Sequence, residues 1–331
     1  MRIVIAPDKF KGTLTAREAA DAMALAVRER WPGAEIAIVP MADGGDGTLD
    51  ALGGANVSDE VTGPLGEPVR AAWRLDGRAA VIESAAASGL VLAGGAEAND
   101  SWGATTRGVG ELIRLALDSG SIRIVVGTGG VAATDGGRGA IEALGDHVPF
   151  APGQVTVLTD TTTTFVHAAK VFGPQKGADA ALVERLTERL RADAADWAER
   201  FGLDVSIVPR SGAAGGLSGA LLAAGAEVVD GAAYVAQALE LSEALAESDL
   251  ALTGEGTFDA TSIAGKGPGH VLSVAARHRV PAIVIAGVVA ADAVGSRVFS
   301  MSKVVGAEHA LADPADALRV TTTQALWQLD L

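Results

Sequence analysis

Residues 35–48 read EIAIVPMADGGDGT: an alternating apolar run that stops at a proline and opens into two aspartates set among three glycines. The run reads as a β-strand ending in a loop, and a corner alone needs far less, since a pair such as Asp-Gly turns a chain. Upstream, RIVIAP (residues 2–7) has the texture of a buried strand, and TAREAADAMALAVRERWPG (residues 15–33) that of a helix. Thr15 and Glu18 stand at capping-box spacing, and Pro32-Gly33 supplies the stop. The chain therefore opens β-α-β, the start of a parallel sheet. IRIVVGTGG (122–130), LALTGEG (250–256) and PAIVIAG (281–287) repeat the form, each an apolar strand running into glycine. Helical patterns are expected over 104–119, 178–201, 218–224, 232–246 and 269–278.

Between residues 57 and 83 the texture changes. Gly-Pro, Gly-Glu-Pro and Asp-Gly turns separate short alternating runs, which predicts antiparallel strands. The expected fold class is α/β: a parallel-sheet, Rossmann-like domain and a second, inserted mixed-sheet α/β domain. The expected division gives residues 1–52, 102–145 and 247–331 to the parallel domain, and 53–101 with 146–246 to the second.

The 331 residues carry 26 Lys plus Arg against 41 Asp plus Glu, a net charge of −15. That balance argues against nucleic acid as a partner, which would want a basic face. Basic groups that meet an anionic ligand must then be gathered locally, so a lysine inside a glycine loop is informative. The absence of cysteine excludes disulfides, a thiol nucleophile and cysteine-based metal sites. The longest apolar run, AIVIAGVVAA (282–291), is about half of the roughly 20 residues that a membrane span needs. The N-terminus has no signal-peptide pattern. The expectation is a soluble cytoplasmic protein with no membrane partner.

In open α/β sheets ligands bind beyond the carboxyl ends of the strands. Those ends read APDKFKGT, PMADGGDGT, GTGGVAATDGG and LTGEGTFDATSIAGKG, and FGPQKGA (172–178) and SGAAGGLSGA (211–220) add two further glycine loops. Glycines admit phosphate oxygens to backbone N–H groups, lysines add charge, and carboxylates can hold Mg²⁺ or take a proton from a hydroxyl. Together they point to phosphoryl transfer. No G-x-x-x-x-G-K-[ST], no strand-following G-x-G-x-x-G, no G-x-S-x-G and no H-E-x-x-H occurs.

These six motifs, taken in their order along the chain, resemble the type I glycerate kinases, over residues 3 to about 290. The resemblance implies ATP- and Mg²⁺-dependent phosphorylation of D-glycerate, usually to 2-phosphoglycerate, with a site in the cleft between two α/β domains. It leaves open a homodimer. Asp43 is the first candidate for the base that takes the hydroxyl proton, Asp8 the second, and Asp160 joins them as a catalytic candidate. Lys11, Gly44, Gly45, Gly129, Gly130, Asp135, Lys176, Gly215, Gly216, Gly254, Gly256 and Lys266 are the candidates for substrate and phosphate binding, and Glu255 and Asp259 for the metal. Asp46 suits the start of the following helix as well as it suits the site, and Asp135 could equally be a turn residue.

Departures from the family pattern concentrate around the acceptor. Val131, Ala133 and Thr134 stand where Ser, Thr and Asn are usual, DTTTTF (160–165) lacks the usual Asn and Pro, Lys9 replaces Ser, and Thr261 replaces Gln. Two rival readings follow: a kinase of the same fold acting on another small hydroxy acid or polyol, and a non-catalytic nucleotide- or sugar-acid-binding regulator.

Overall fold

The computed structural model describes residues 1–263, 267–293 and 297–329. Along the chain its strands are β1 (Arg2–Ile5), β2 (Glu35–Ile38), β3 (Val57–Thr62), β4 (Pro68–Asp76), β5 (Ala79–Glu83), β6 (Arg123–Gly127), β7 (Val155–Thr159), β8 (Glu227–Asp230), β9 (Leu250–Phe258), β10 (Ala282–Val289) and β11 (Val298–Ser300). The chain forms two compact units: Met1–Asp43, Asp50–Leu52 and Ala232–Leu331 make the first, Gly44–Leu49 and Gly53–Gly231 the second.

The first unit is built on a parallel sheet in the order β11-β10-β9-β1-β2. Residues 3–5 of β1, 250–252 of β9 and 282–289 of β10 are apolar at successive positions because both faces of the sheet are covered. Ile3, Ile5, Leu250 and Leu252 pack with residues of the helices Ala16–Arg30 and Pro314–Trp327. Val4, Ala6 and Ala251, pointing the other way, pack with Leu241, Leu245, Val271 and Val274 from the helices Leu241–Ala246 and Gly267–His278. The capping box forms as expected, with the Thr15 side chain accepting from the Glu18 amide at 3.2 Å and the Glu18 carboxylate accepting from the Thr15 amide at 2.9 Å. The helix expected over 232–246 is two helices, Gly231–Ala238 and Leu241–Ala246, because Glu240 adopts a left-handed conformation (φ 54°) between them.

The second unit carries a mixed sheet in the order β3-β4-β5-β6-β7-β8. β3, β4 and β5 are antiparallel as the turns predict, and β5 through β8 are parallel. The division differs from the expected one over residues 44–49 and 102–145, which belong to the second unit, and over 232–246, which belong to the first. β6 has parallel neighbours on both sides, and such a strand looks alike in sequence whichever sheet it joins.

Within the second unit the short segment Gly44–Leu49 lies against the ends of β6 and β7. The Thr128 amide donates to the Gly44 carbonyl at 2.7 Å. A Cβ on Gly44, whose φ is +92°, would come within 2.8 Å of the Leu158 backbone, and one on Gly129 within 2.6 Å of the Gly45 Cα. Gly44 of ADGGDGT and Gly129 of the GTGG loop are thus required by backbone meeting backbone. Gly254 in β9 is equally confined, because a Cβ there would lie 1.9 Å from the Ile285 carbonyl oxygen of β10. Gly254→Ala is expected to cost about 1–3 kcal/mol or more through overpacking, whereas Gly33→Ala, with nothing within 4 Å and no positive φ, should stay within about 0.5 kcal/mol of the parent. Chemical denaturation of the two variants checks this; equal midpoints would show that β9 and β10 have room to spare.

Candidate active site

In the first unit three carboxylates leave the carboxyl ends of neighbouring strands: Asp8 after β1, Asp43 after β2, and Glu255 on β9. Backbone bonds fix the exit of β1. The Ala6 amide donates to the Leu252 carbonyl and the Asp8 amide to the Gly254 carbonyl, both at 2.8 Å, and the Met41 amide reaches the Pro7 carbonyl at 2.8 Å. The Thr253 hydroxyl donates to the Ala6 carbonyl at 2.7 Å, closing the same corner. Asp8 is only 6% exposed. Its Oδ1 accepts from the Lys9 amide at 2.7 Å. Its Oδ2 lies so close to the first residue of the helix Gly267–His278 that a Cβ on Gly267 would be 2.6 Å away.

Burial, first, and then the charge of Asp43 push the Asp8 carboxyl up to about 7, with Glu255 adding to the rise. The charge of Lys9 and its amide bond oppose that shift without cancelling it. A carboxyl that titrates near neutrality at a strand end is what proton transfer at working pH requires. Asp43 and Glu255 are half-buried, and Lys11 is exposed nearby in sequence. A Cβ on Gly256 would lie 3.2 Å from the Lys11 amide nitrogen, so that glycine also borders the β1 loop.

Asp259 has a local task. Its Oδ1 accepts from the Thr261 amide at 2.8 Å, the Thr261 hydroxyl at 2.6 Å and the Ser262 amide at 3.1 Å, starting the short helix Ala260–Ile263. Hydrogen bonding, led by the Thr261 hydroxyl, holds its carboxyl below the ordinary value. The unusual Thr261 thus finds its partner in Asp259. Lys266 lies outside the described residues. Among the described residues no group of three or more histidine or carboxylate side chains is disposed to hold a metal ion.

In the second unit the GTGGVAATDGG loop is braced from several sides. Asp135 accepts from the Thr106 amide at 2.8 Å, the Thr106 hydroxyl at 2.9 Å, the Gly137 amide at 3.1 Å and the Gly139 amide at 3.2 Å. It thereby ties the starts of the helices Arg107–Asp118 and Arg138–Leu144 together. Gly215 and Gly216 of the GAAGG motif press on this loop: added Cβ atoms would meet the Ala133 carbonyl oxygen at 2.1 Å and the Gly136 Cα at 2.8 Å. Gly130, at φ +65°, accepts from the Leu90 amide at 2.8 Å.

Lys176, expected as an anion contact, is 4% exposed and donates to the Ala133 carbonyl at 2.6 Å. Desolvation pushes its ammonium down to about 8, against the charge of Asp135. Its own carbonyl accepts from the Asn99 side chain at 2.8 Å. Asp160 is exposed directly after β7, and Asp46 is exposed before the helix Thr48–Ala51. The four threonines are largely engaged with one another and with neighbours: Thr161 and Thr163 hydroxyls pair at 2.8 Å, and Thr164 meets His167 Nδ1 at 2.7 Å. Sequence reasoning missed the hydroxyls of Ser84, Ser88 and Thr134, which are buried and have no hydrogen-bond partner among the described residues. Their only signal is the strand-end position of ESAAAS (83–88) and of the altered VAATDGG.

The structure therefore groups Asp8, Asp43, Glu255 and Gly256 in one unit, and Gly44, Gly45, Gly129, Gly130, Asp135, Lys176, Gly215 and Gly216 in the other. A family model described as the glycerate kinase family matches residues 3–154 and 146–329. The chain belongs to the glycerate kinase family. The Escherichia coli (strain K12) glycerate 2-kinase is 41% identical over 325 residues, covering 87% of this chain and 85% of that protein. The Bacillus subtilis (strain 168) glycerate kinase is 39% identical over 331 residues, covering 88% and 86%. The crystal structure of a Salmonella typhimurium LT2 protein assigned as glycerate kinase 2 superposes with a TM-score of 0.83 at 37% identity, covering 99% of this chain and 98% of that one. Membership of this family makes the chain an enzyme, a kinase, and its two α/β units are those of a glycerate kinase. No helix of the described residues is long and apolar enough to cross a membrane.

Lys176 gives a pH dependence that can be measured. Its folded value lies below the roughly 10.4 of an unfolded lysine, so between about pH 8 and 10.4 the unfolded chain binds more protons and stability rises with pH. The difference in unfolding free energy between Lys176→Met and the parent is expected to move against the variant as pH climbs through that window. A difference that stays flat from pH 7.5 to 10.5 would place the ammonium in water.

Proposed function

We propose that this glycerate kinase moves the γ-phosphoryl group of ATP, with Mg²⁺, to D-glycerate and yields 2-phosphoglycerate in the cytoplasm. The observation that carries the reading is the raised Asp8 carboxyl among the carboxylates at the ends of β1, β2 and β9. The name of the E. coli relative, glycerate 2-kinase, supports the position of phosphorylation.

Mg²⁺ takes one or two carboxylates and completes its shell with water and substrate phosphates. Carboxylates that repel one another at one strand edge fit such a partial set, even though no described cluster would cage an ion by itself. Glu255 and Asp43 are assigned to the ion, which when bound supplies positive charge to the phosphate oxygens. Asp8 receives the proton of the attacking hydroxyl, since a base working near its own pKa transfers protons most efficiently. This ordering places Asp8 ahead of Asp43, the reverse of the ranking from sequence. Asp160 and the backbone of the GTGG loop are assigned to the acceptor. The carboxylate at Asp135 and the ammonium at Lys176 hold that loop in shape.

The rates follow. Asp8→Asn is expected to lower kcat by about 10²–10⁴-fold with little change in the KM for D-glycerate. The parent's activity should rise with pH up to about 7, because the base acts in its charged form, and Asp8→Asn should lose that limb. Asp43→Asn is expected to raise the Mg²⁺ concentration needed for half-maximal rate. Unchanged kcat in Asp8→Asn would end the assignment.

The local engagement of Thr161, Thr163 and Thr164 favours a second reading, a different acceptor acid, because those hydroxyls are spent within their own loop. Values of kcat/KM for D-glycerate beside other three- and four-carbon hydroxy acids decide between them. D-Glycerate is expected to lead; a competitor ahead by a hundredfold, about 2.7 kcal/mol of transition-state binding, would replace it.

A further inference from the structure

The helix Gly267–His278 has two uses for its flank. Its first residue abuts the Asp8 carboxylate, and one turn further on His270 begins a recess that continues past Val274 to Arg277. The opposite wall is the Ala233, Ala236 and Gln237 face of the helix Gly231–Ala238, and Leu241, Ser242 and Glu243 close the end. The volume is about 250 Å³. Sites for drug-sized molecules run from roughly 300 to 1,000 Å³, so this one suits a single ring system rather than a whole nucleotide.

Its chemistry narrows the ligand further. Leu241, Val274 and Ala236 are buried and form an apolar floor, while Gln237, Ser242, Glu243 and Arg277 are exposed around the rim. The Ser242 hydroxyl is already paired with His278 Nε2 at 2.9 Å. Glu243 opposes any anion, and one arginine against one glutamate leaves no surplus positive charge for phosphate or for a sugar acid. A flat, neutral heterocycle with hydrogen-bonding edges fits: one face can lie on the apolar floor, the Gln237 amide can both donate and accept, and Glu243 can accept from an exocyclic amine. From Gly267 to Val274 the helix rises about 10 Å at 1.5 Å per residue, so a ligand lying along its flank would have one end in the recess and the other beside Asp8.

We propose that the recess formed by Ala233, Gln237, Glu243, His270 and Val274 takes the purine base of the phosphoryl donor, an amine-bearing base in the first place. This rests on the reading of the enzyme as a nucleotide-dependent kinase, and it assigns the base to the first unit alone. The experiment uses the full chain and two variants, Ala233→Trp, which fills the recess, and Gln237→Ala, which removes a rim amide from an exposed position. ADP and GDP binding are measured by calorimetry, and tripolyphosphate, which has no base, serves as a competitor of ATP in the D-glycerate assay. The proposal expects ADP to bind the parent more tightly than GDP. It expects ADP affinity to fall tenfold or more in Ala233→Trp and several-fold in Gln237→Ala. Inhibition by tripolyphosphate and the KM for D-glycerate should stay within about twofold. ADP affinity unchanged in both variants would overturn it, and so would a Gln237→Ala variant in which tripolyphosphate weakens in step with ADP. A parent enzyme that binds ADP and turns over ATP beside variants that do so equally well removes the base site and leaves the kinase. A parent that binds no nucleotide removes both.

Discussion

The contact that the second unit is arranged around is backbone against backbone at the ends of β6 and β7. Residues 44 and 45 lie so near Leu158, Thr128 and Gly129 that no side chain fits between them. Only glycine meets both demands there, a positive φ at Gly44 and no Cβ at Gly129. The carboxylate of Asp43 is the last residue before this contact, at the point where the chain leaves the first unit. Packing of this kind and chemistry of the neighbouring residue are linked through one short stretch, which is why a glycine loop richer than any turn needs is found there. The same logic holds at Gly215 and Gly216, where the GAAGG motif lets one loop sit directly on another.

A second constraint is electrostatic. Asp8 and Lys176 are both withdrawn from water, and in each case desolvation is the leading cause of the shift. They differ in what surrounds them. Lys176 has the Ala133 carbonyl and the charge of Asp135, so its ammonium is kept and works as a strut. Asp8 has like charges at Asp43 and Glu255, so its neutral form gains ground. A buried charge with a partner is retained, and a buried carboxyl whose like-charged neighbours outweigh its one cationic neighbour is biased toward its neutral form.

Much of this was legible in the sequence. Thr15 and Glu18 announced the first helix, the Asp-Gly and Gly-Pro turns announced β3 to β5, and the strand ends carried the aspartates. What failed to show depends on tertiary placement. β6 reads as a parallel strand, but nothing in its short run Arg123–Gly127 says which sheet it joins. Glu240 breaks a helix by adopting a left-handed φ that its residue type does not advertise. Lys176 in a glycine loop reads as an anion contact because burial is invisible until the Asn99, Ser101 and Ala133 partners are in place. Asp135 shows the same limit: its value as a turn residue could be read, its hold on two helix starts could not.

These placements bear on how a chain of net charge −15 handles an anionic substrate. The cation that the sequence offered in FGPQKGA is buried against the Ala133 carbonyl of the VAATDGG loop, so it adds no surface charge for phosphate to meet. The acidic strand edge of Asp8, Asp43 and Glu255 repels anions as well as itself. Under the proposed function a divalent cation resolves both problems at once, lowering the repulsion among the carboxylates and presenting positive charge outward. The phosphate would then be met by that ion and by backbone N–H groups that glycine leaves accessible, rather than by a cluster of basic side chains. An acidic protein is suited to such a site, because its field concentrates the cation while the cation screens the field from the substrate.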